Sequence, residues 1–187
     1  MKTFRYLVFL TVLLAVSCGE DDQPSGDNVL NYDGENFTAP TLPPGLYEAS
    51  ARFPSLITRN VIGRQIEAVS FYMYDVPQSV FILISQDQSP TEPGPVLYSQ
   101  DVRAQLSANS WNTVSLNQPF ALDGSSVWVS VEVDIGGNTP AQTIGCDEGP
   151  ANPNGDWLYD GSDQQWRRFT DRVGESINWN IRAILDQ

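Results

Sequence analysis

Short runs of alternating apolar and polar residues recur along most of the chain. No window keeps an apolar i, i+3, i+4, i+7 stripe over three turns, so the pattern predicts strands rather than long helices. The clearest run is Ser126 to Asp134. Val127, Val129, Val131 and Val133 fall on one face, and Trp128, Ser130, Glu132 and Asp134 on the other, which predicts a half-buried strand. Ile66 to Tyr74 alternates in the same way, with Val69, Phe71 and Met73 inward. Val80 to Ile84 is apolar throughout and predicts a strand covered on both faces. Ile177 to Leu185 puts Ile177, Trp179, Ile181, Ala183 and Leu185 inward, with Asn178, Asn180 and Arg182 outward. Weaker runs lie at Tyr47 to Phe53, Val96 to Val102, Trp111 to Leu116, Gln142 to Cys146, Trp157 to Tyr159 and Trp166 to Thr170. About nine or ten strands punctuated by Pro and Gly predict an all-β fold, a single antiparallel β-sandwich of the jelly-roll kind. Gln86 to Pro95 carries three prolines and reads as the longest loop.

The first residues break this pattern. Lys2 and Arg5 precede an apolar run, Tyr6 to Val16, too short to span a bilayer as a helix. That is the layout of a secretory signal peptide, residues 1–17. Leu14-Ala15-Val16-Ser17-Cys18 resembles a bacterial lipobox, which implies lipid on Cys18 and anchoring to a membrane rather than spanning. Residues 18–28 hold no apolar side chain after Cys18 and read as an acidic tether. The Gly19-Glu20-Asp21-Asp22 run resembles the signal that sends lipoproteins of the Bacteroidota to the outer face of the outer membrane. The expected organisation is therefore signal peptide, tether, and a β-sandwich domain over 29–187, displayed at the cell surface.

Composition narrows the chemistry. The 187 residues include 10 Lys+Arg, 23 Asp+Glu and no histidine, for a net charge of -13. Without an imidazole there is no Ser-His-Asp or Cys-His nucleophile system. Lys2 is the only lysine, so no P-loop can form. An acidic chain lacks the cation clusters that neutralise phosphates, so nucleic acid is excluded as a partner. With Cys18 lipidated, Cys146 is left without a disulfide partner and reads as a small buried thiol.

The order of the strand motifs resembles a β-sandwich accessory domain of secreted peptidases and adhesion proteins of the Bacteroidota, akin to carbohydrate-binding jelly rolls. The matching segments are Ala51-Arg52-Phe53, Ile66 to Tyr74, Phe81 to Ile84 with Pro93 to Leu97, Trp111-Asn-Thr-Val-Ser-Leu116, Ser126 to Val131 and Asn178 to Ile184. The resemblance implies a binding or structural role with no catalytic residues to carry over.

Gly155 to Phe169 is the segment richest in candidate ligand groups. Sugar rings stack on Trp and Tyr while their hydroxyls bond to Asp, Asn, Gln and Arg. Trp157, Tyr159, Trp166, Arg167 and Asp160 supply these types, and Trp128, on the polar face of its strand, is a further candidate for an exposed platform. Glycan is thus the first expected partner, and another surface protein the alternative. Asp147, Asp156, Asp160 and Asp163 are candidate ligands for a structural calcium ion, which takes six to eight oxygens. Paired carboxylates could also run glycoside hydrolysis as acid and nucleophile or base.

Overall fold

The structure, a computed structural model, describes residues 28–187. The signal peptide, Cys18 and all but the last residue of the tether lie outside the described residues. Twelve strands form the domain, two or three more than the pattern predicts. The additional ones are two-residue strands, β1 (Val29–Leu30) and β2 (Thr41–Leu42), too short to carry an alternating signal; the expected Gln142 to Cys146 run shrinks to β9 (Ala141–Gln142) and isolated bridges at Ile144 and Cys146. The long strands are β3 (Gly45–Phe53), β4 (Gln65–Met73), β5 (Ser79–Ser89), β6 (Glu92–Asp101), β7 (Ser110–Ala121), β8 (Val127–Ile135) and β12 (Ile181–Leu185). β10 (Trp157–Asp160) and β11 (Gln165–Arg168) make a hairpin. Helix is confined to α1 (Ser55–Thr58), α2 (Phe169–Val173) and two 3-10 turns.

A four-stranded sheet, β1-β12-β4-β7, packs on a six-stranded sheet, β11-β10-β3-β8-β5-β6, and every pairing is antiparallel. The expected all-β sandwich is the observed fold. The alternation sets the core. Val127, Val129, Val131 and Val133 of β8 lie beside Ala49 and Ala51 of β3 and Val80, Ile82 and Ile84 of β5. These belong to one buried cluster with Val69, Phe71 and Met73 of β4 and Ile181, Ala183 and Leu185 of β12.

Three expectations change. Gln86 to Pro95 is not a loop: β5 runs on to Ser89 and β6 begins at Glu92, taking in Pro93 and Pro95. β6 is the outermost strand of its sheet, where an absent N–H breaks no second ladder, and its register shifts three times against β5. Asn178, Asn180 and Arg182 do point away from the core, yet all three are buried. They are covered by a polar lattice. Asp33 accepts from Arg182 Nε at 2.9 Å, from Asn180 Nδ2 at 2.9 Å and from Asn31 Nδ2 at 2.9 Å. Asp147 accepts from the Asn178 backbone N–H at 2.6 Å, its side-chain amide at 2.9 Å and the Gly34 N–H at 3.0 Å. The segment from Asn31 to Asn36 is thereby clamped over the outer side of β12. The Arg182 guanidinium also stacks on Trp111, 4.2 Å from the ring centre. The third change, at Trp128, belongs to the site below.

Cys146 is a free thiol with no exposed surface, and its backbone bridges Thr38 and Trp179. Burial, with Asp147 and Glu175 nearby, pushes its pKa up to about 12. The native protein is expected to resist a soluble aromatic disulfide reagent and to react with one equivalent more in denaturant; labelling without denaturant would refute the burial. Asp33→Ala removes the buried carboxylate that Arg182, Asn180 and Asn31 share. It is expected to cost about 3–5 kcal/mol in urea unfolding, and a loss under 1 kcal/mol would refute the clamp.

Candidate functional site on the outer face of the large sheet

Antiparallel register places directly opposed residues on one face. On the side of the six-stranded sheet away from the core, one row crosses all six strands: Trp166, Tyr159, Glu48, Glu132, Phe81 and Asp101. The next row is Arg168, Trp157, Ser50, Ser130, Leu83 and Ser99. Arg52 and Trp128 face each other in the row beyond.

Aromatic rings hold one side of this face. Trp128 lies 5.4 Å from Trp157 and 5.5 Å from Trp166, and Trp166 lies 5.7 Å from Tyr159, centre to centre. The strands of Trp128 and Trp166 are separated by β3 and β10, so these indoles lean toward each other over the sheet. Trp128 therefore has no exposed surface. The expectation of an exposed platform at Trp128 is corrected: alternation gave the right face, but the rings of Trp157 and Trp166 cover it. Its Nε1 donates to Asp87 at 2.7 Å, and Asp87 also accepts from Arg52 Nε at 2.7 Å and Nη2 at 2.9 Å. Trp157 is buried as well, and its Nε1 has no hydrogen-bond partner among the described residues. Trp166 and Tyr159 are half-buried and offer ring surface to solvent.

The other predicted residues divide by the same alternation. Asp160 pairs with Gln165 and Arg167 with Leu158, so both lie on the opposite side of the hairpin from the rings. Arg172 Nη1 donates to Asp160 at 3.0 Å and to Asp163 at 3.2 Å. Arg167 reaches Gln165 at 2.8 Å. Asp156, fully buried, takes Arg168 Nε at 2.8 Å and the Thr170 N–H at 3.1 Å. Asp147 belongs to the lattice under β12. The structure therefore does not gather Asp147, Asp156, Asp160 and Asp163 into one cage. Among the described residues no group of three or more His, Cys, Asp or Glu is placed to hold a metal ion.

Sequence reasoning missed the two carboxyls at the centre of the face, Glu48 and Glu132. They are opposed across β3 and β8, so their Cβ atoms lie about 4.5–5.5 Å apart. Burial raises the Glu48 pKa to about 7; the Ser130 hydroxyl beside it pulls the other way and Glu132 adds to the rise. Burial, then Asp134, raises that of Glu132. The arginines of the face are engaged elsewhere, Arg52 with Asp87 and Arg168 with Asp156. A cleft of about 480 Å³ opens where the face meets α1, lined by Ser55, Arg59, Asp87, Asp123 and Ser126 among others.

One solved structure shares this architecture. It is a clostridial cysteine protease, Cwp84, after propeptide cleavage, similar with a TM-score of 0.60 at 14% identity. The match covers 88% of this chain and 42% of that one, so the chain spans less than half the length of the protease. At that identity the likeness shows the fold alone. No family model and no curated protein matches the chain.

The Glu48 shift has a consequence for stability. The folded chain keeps a proton that the unfolded chain releases near pH 4.5, so stability falls as pH rises from there to about 7. Glu48→Gln, which cannot ionise, is expected to match the parent at pH 4. At pH 8 it should be more stable by on the order of 1–3 kcal/mol. Equal urea midpoints at both pH values would refute the burial of this carboxyl.

Proposed function

We propose that this chain is a non-catalytic binding module held at the cell surface through lipid on Cys18, and that it takes glycan on the outer face of its six-stranded sheet. The observation that carries the reading is the row Trp166, Tyr159, Glu48 and Glu132. Two half-exposed rings stand beside two carboxyls, without a main-chain break between them. A pyranose offers the same two surfaces, an apolar face for stacking and hydroxyls that donate to carboxylates. Trp128 and Trp157 act from below, locking the exposed ring of Trp166 in place. A pre-organised ring loses little entropy on binding. The fold likeness to part of a peptidase chain agrees with an accessory role. The lipid anchor rests on the Leu14-Ala15-Val16-Ser17-Cys18 motif. No helix among the described residues is long and apolar enough to cross a membrane.

One observation favours a second reading. Two opposed carboxyls, one with its pKa raised to about 7, are the equipment of a glycoside hydrolase acting by acid and nucleophile. The two readings separate on one preparation. Binding without product release supports the module; release of reducing ends, lost in Glu48→Gln, supports the hydrolase.

Trp166→Ala is expected to weaken binding to whichever oligosaccharide an array identifies by tenfold or more, measured by calorimetry, with an unchanged far-ultraviolet spectrum. Arg167→Ala, on the opposite side of the hairpin, should change it less than twofold. Equal affinity in the parent and Trp166→Ala would move the site off this face.

A further inference from the structure

We propose that the Glu48–Glu132 pair is a subsite for the protonated amine of an amino sugar whose ring stacks on Tyr159 and Trp166. The inference rests on the glycan reading and names the class of sugar.

The pair is costly as it stands. Like charges directly opposite each other on neighbouring strands are destabilising. Among the groups facing Glu48 only the Ser130 hydroxyl offsets that cost, and it carries no charge. β8 contributes Glu132 and, one row on, Asp134; β10 contributes the neutral Tyr159; β6 adds Asp101 beyond Phe81. The cations of the face are Arg52, on the same strand as Glu48, and Arg168, on β11, and each is held by another carboxylate at 2.7 Å and 2.8 Å. The site thus holds a surplus of negative charge beside aromatic rings, in a chain of net charge -13.

That surplus selects among sugars. An acidic saccharide would bring a further negative charge to the pair. A neutral one would donate hydroxyls and leave the repulsion in place. An ammonium supplies three donors and the missing positive charge, and it gains a cation–π contribution from rings within reach. A second feature points to a ligand rather than to a bare cation. Trp157, nine-tenths buried on the same face one row from Glu48, has an indole N–H with no partner among the described residues. A buried donor without an acceptor is unfavourable by roughly 1–3 kcal/mol until one arrives. A lone cation cannot accept that bond, whereas a sugar hydroxyl can. The buried hydroxyls of Ser50 and Ser130, bonded to each other at 2.9 Å, floor the same row.

The test is calorimetry on the protein with four probes of matched length at physiological ionic strength. These are a β-1,4-linked glucosamine tetramer, its N-acetylated counterpart, a neutral glucose tetramer and tetralysine. The glucosamine tetramer is expected to bind at least tenfold more tightly than the N-acetylated and neutral sugars and than tetralysine. In Glu132→Gln that preference should shrink to threefold or less while weak binding of the neutral sugars persists. Equal affinity for the amine and N-acetyl forms would overturn the inference and leave the glycan platform standing. Tetralysine binding as tightly as the amino sugar would overturn it in favour of a basic peptide. Binding of none of the four would overturn the inference, and a glycan array empty of hits would then overturn the platform as well. The comparison among ligands on the parent protein decides the question even if Glu132→Gln fails to fold.

Discussion

A buried carboxylate on a loop determines how this sandwich closes. Asp33 sits on the outer side of the smaller sheet and meets Arg182, Asn180 and Asn31 at once. A buried charge is tolerable only with this many partners. Satisfying it draws the segment before β2 across β12, where Gly34 offers its N–H to Asp147 and its carbonyl to Arg182. Asp147 in turn fixes Asn178 and the entry to β12. At β12 the outer side of the four-stranded sheet is spent on this lattice, and Tyr72 and Trp111 of β4 and β7 stay half-buried beside it. The outer face of the six-stranded sheet is left to carry half-exposed aromatic rings and carboxyls.

The difference between the two faces follows from what fills them. At β12 the charged groups are matched, Arg182 by Asp33, although the side-chain oxygens of Asn36 and Asn180 have no partner among the described residues. On the large sheet the ring of Trp128 packs edge to face on Trp166 and tilted on Trp157, while Glu48 and Glu132 stand beside them without arginines of their own. Each arginine of that face was drawn to a carboxylate at the margin. Asp87 has Arg52 and the Trp128 indole; Asp156 has Arg168 and a helix-start amide. Charge balance is met at the rim and not at the centre.

How much of this could be read in the chain varied with the range of the forces involved. β8 and β5 were legible because alternation is local and their β-branched residues are numerous. β12 was legible as a strand, but not the burial of its outward Asn178, Asn180 and Arg182, which depends on a loop nearly the whole chain away. The end of β5 and the start of β6 read as a loop because proline counts against a strand; that β6 lies at an edge is a property of the sheet order. Trp128 was given the right face and the wrong exposure, since exposure is set by Trp157 and Trp166 from another hairpin. The Trp157, Tyr159 and Trp166 cluster was visible as composition. Glu48 and Glu132 were not, because each is an ordinary polar position on its own strand. Only the pairing of β3 with β8 brings them together.

The prolines of β6 have a meaning beyond their strand. An exposed edge is a template to which an identical molecule can add its own strand. Pro93 and Pro95 withhold two N–H groups there, and the three breaks in register bend the rest out of line. Molecules of this shape can therefore stand shoulder to shoulder at high density without zipping into fibres along that border. The irregular edge keeps neighbouring molecules separate.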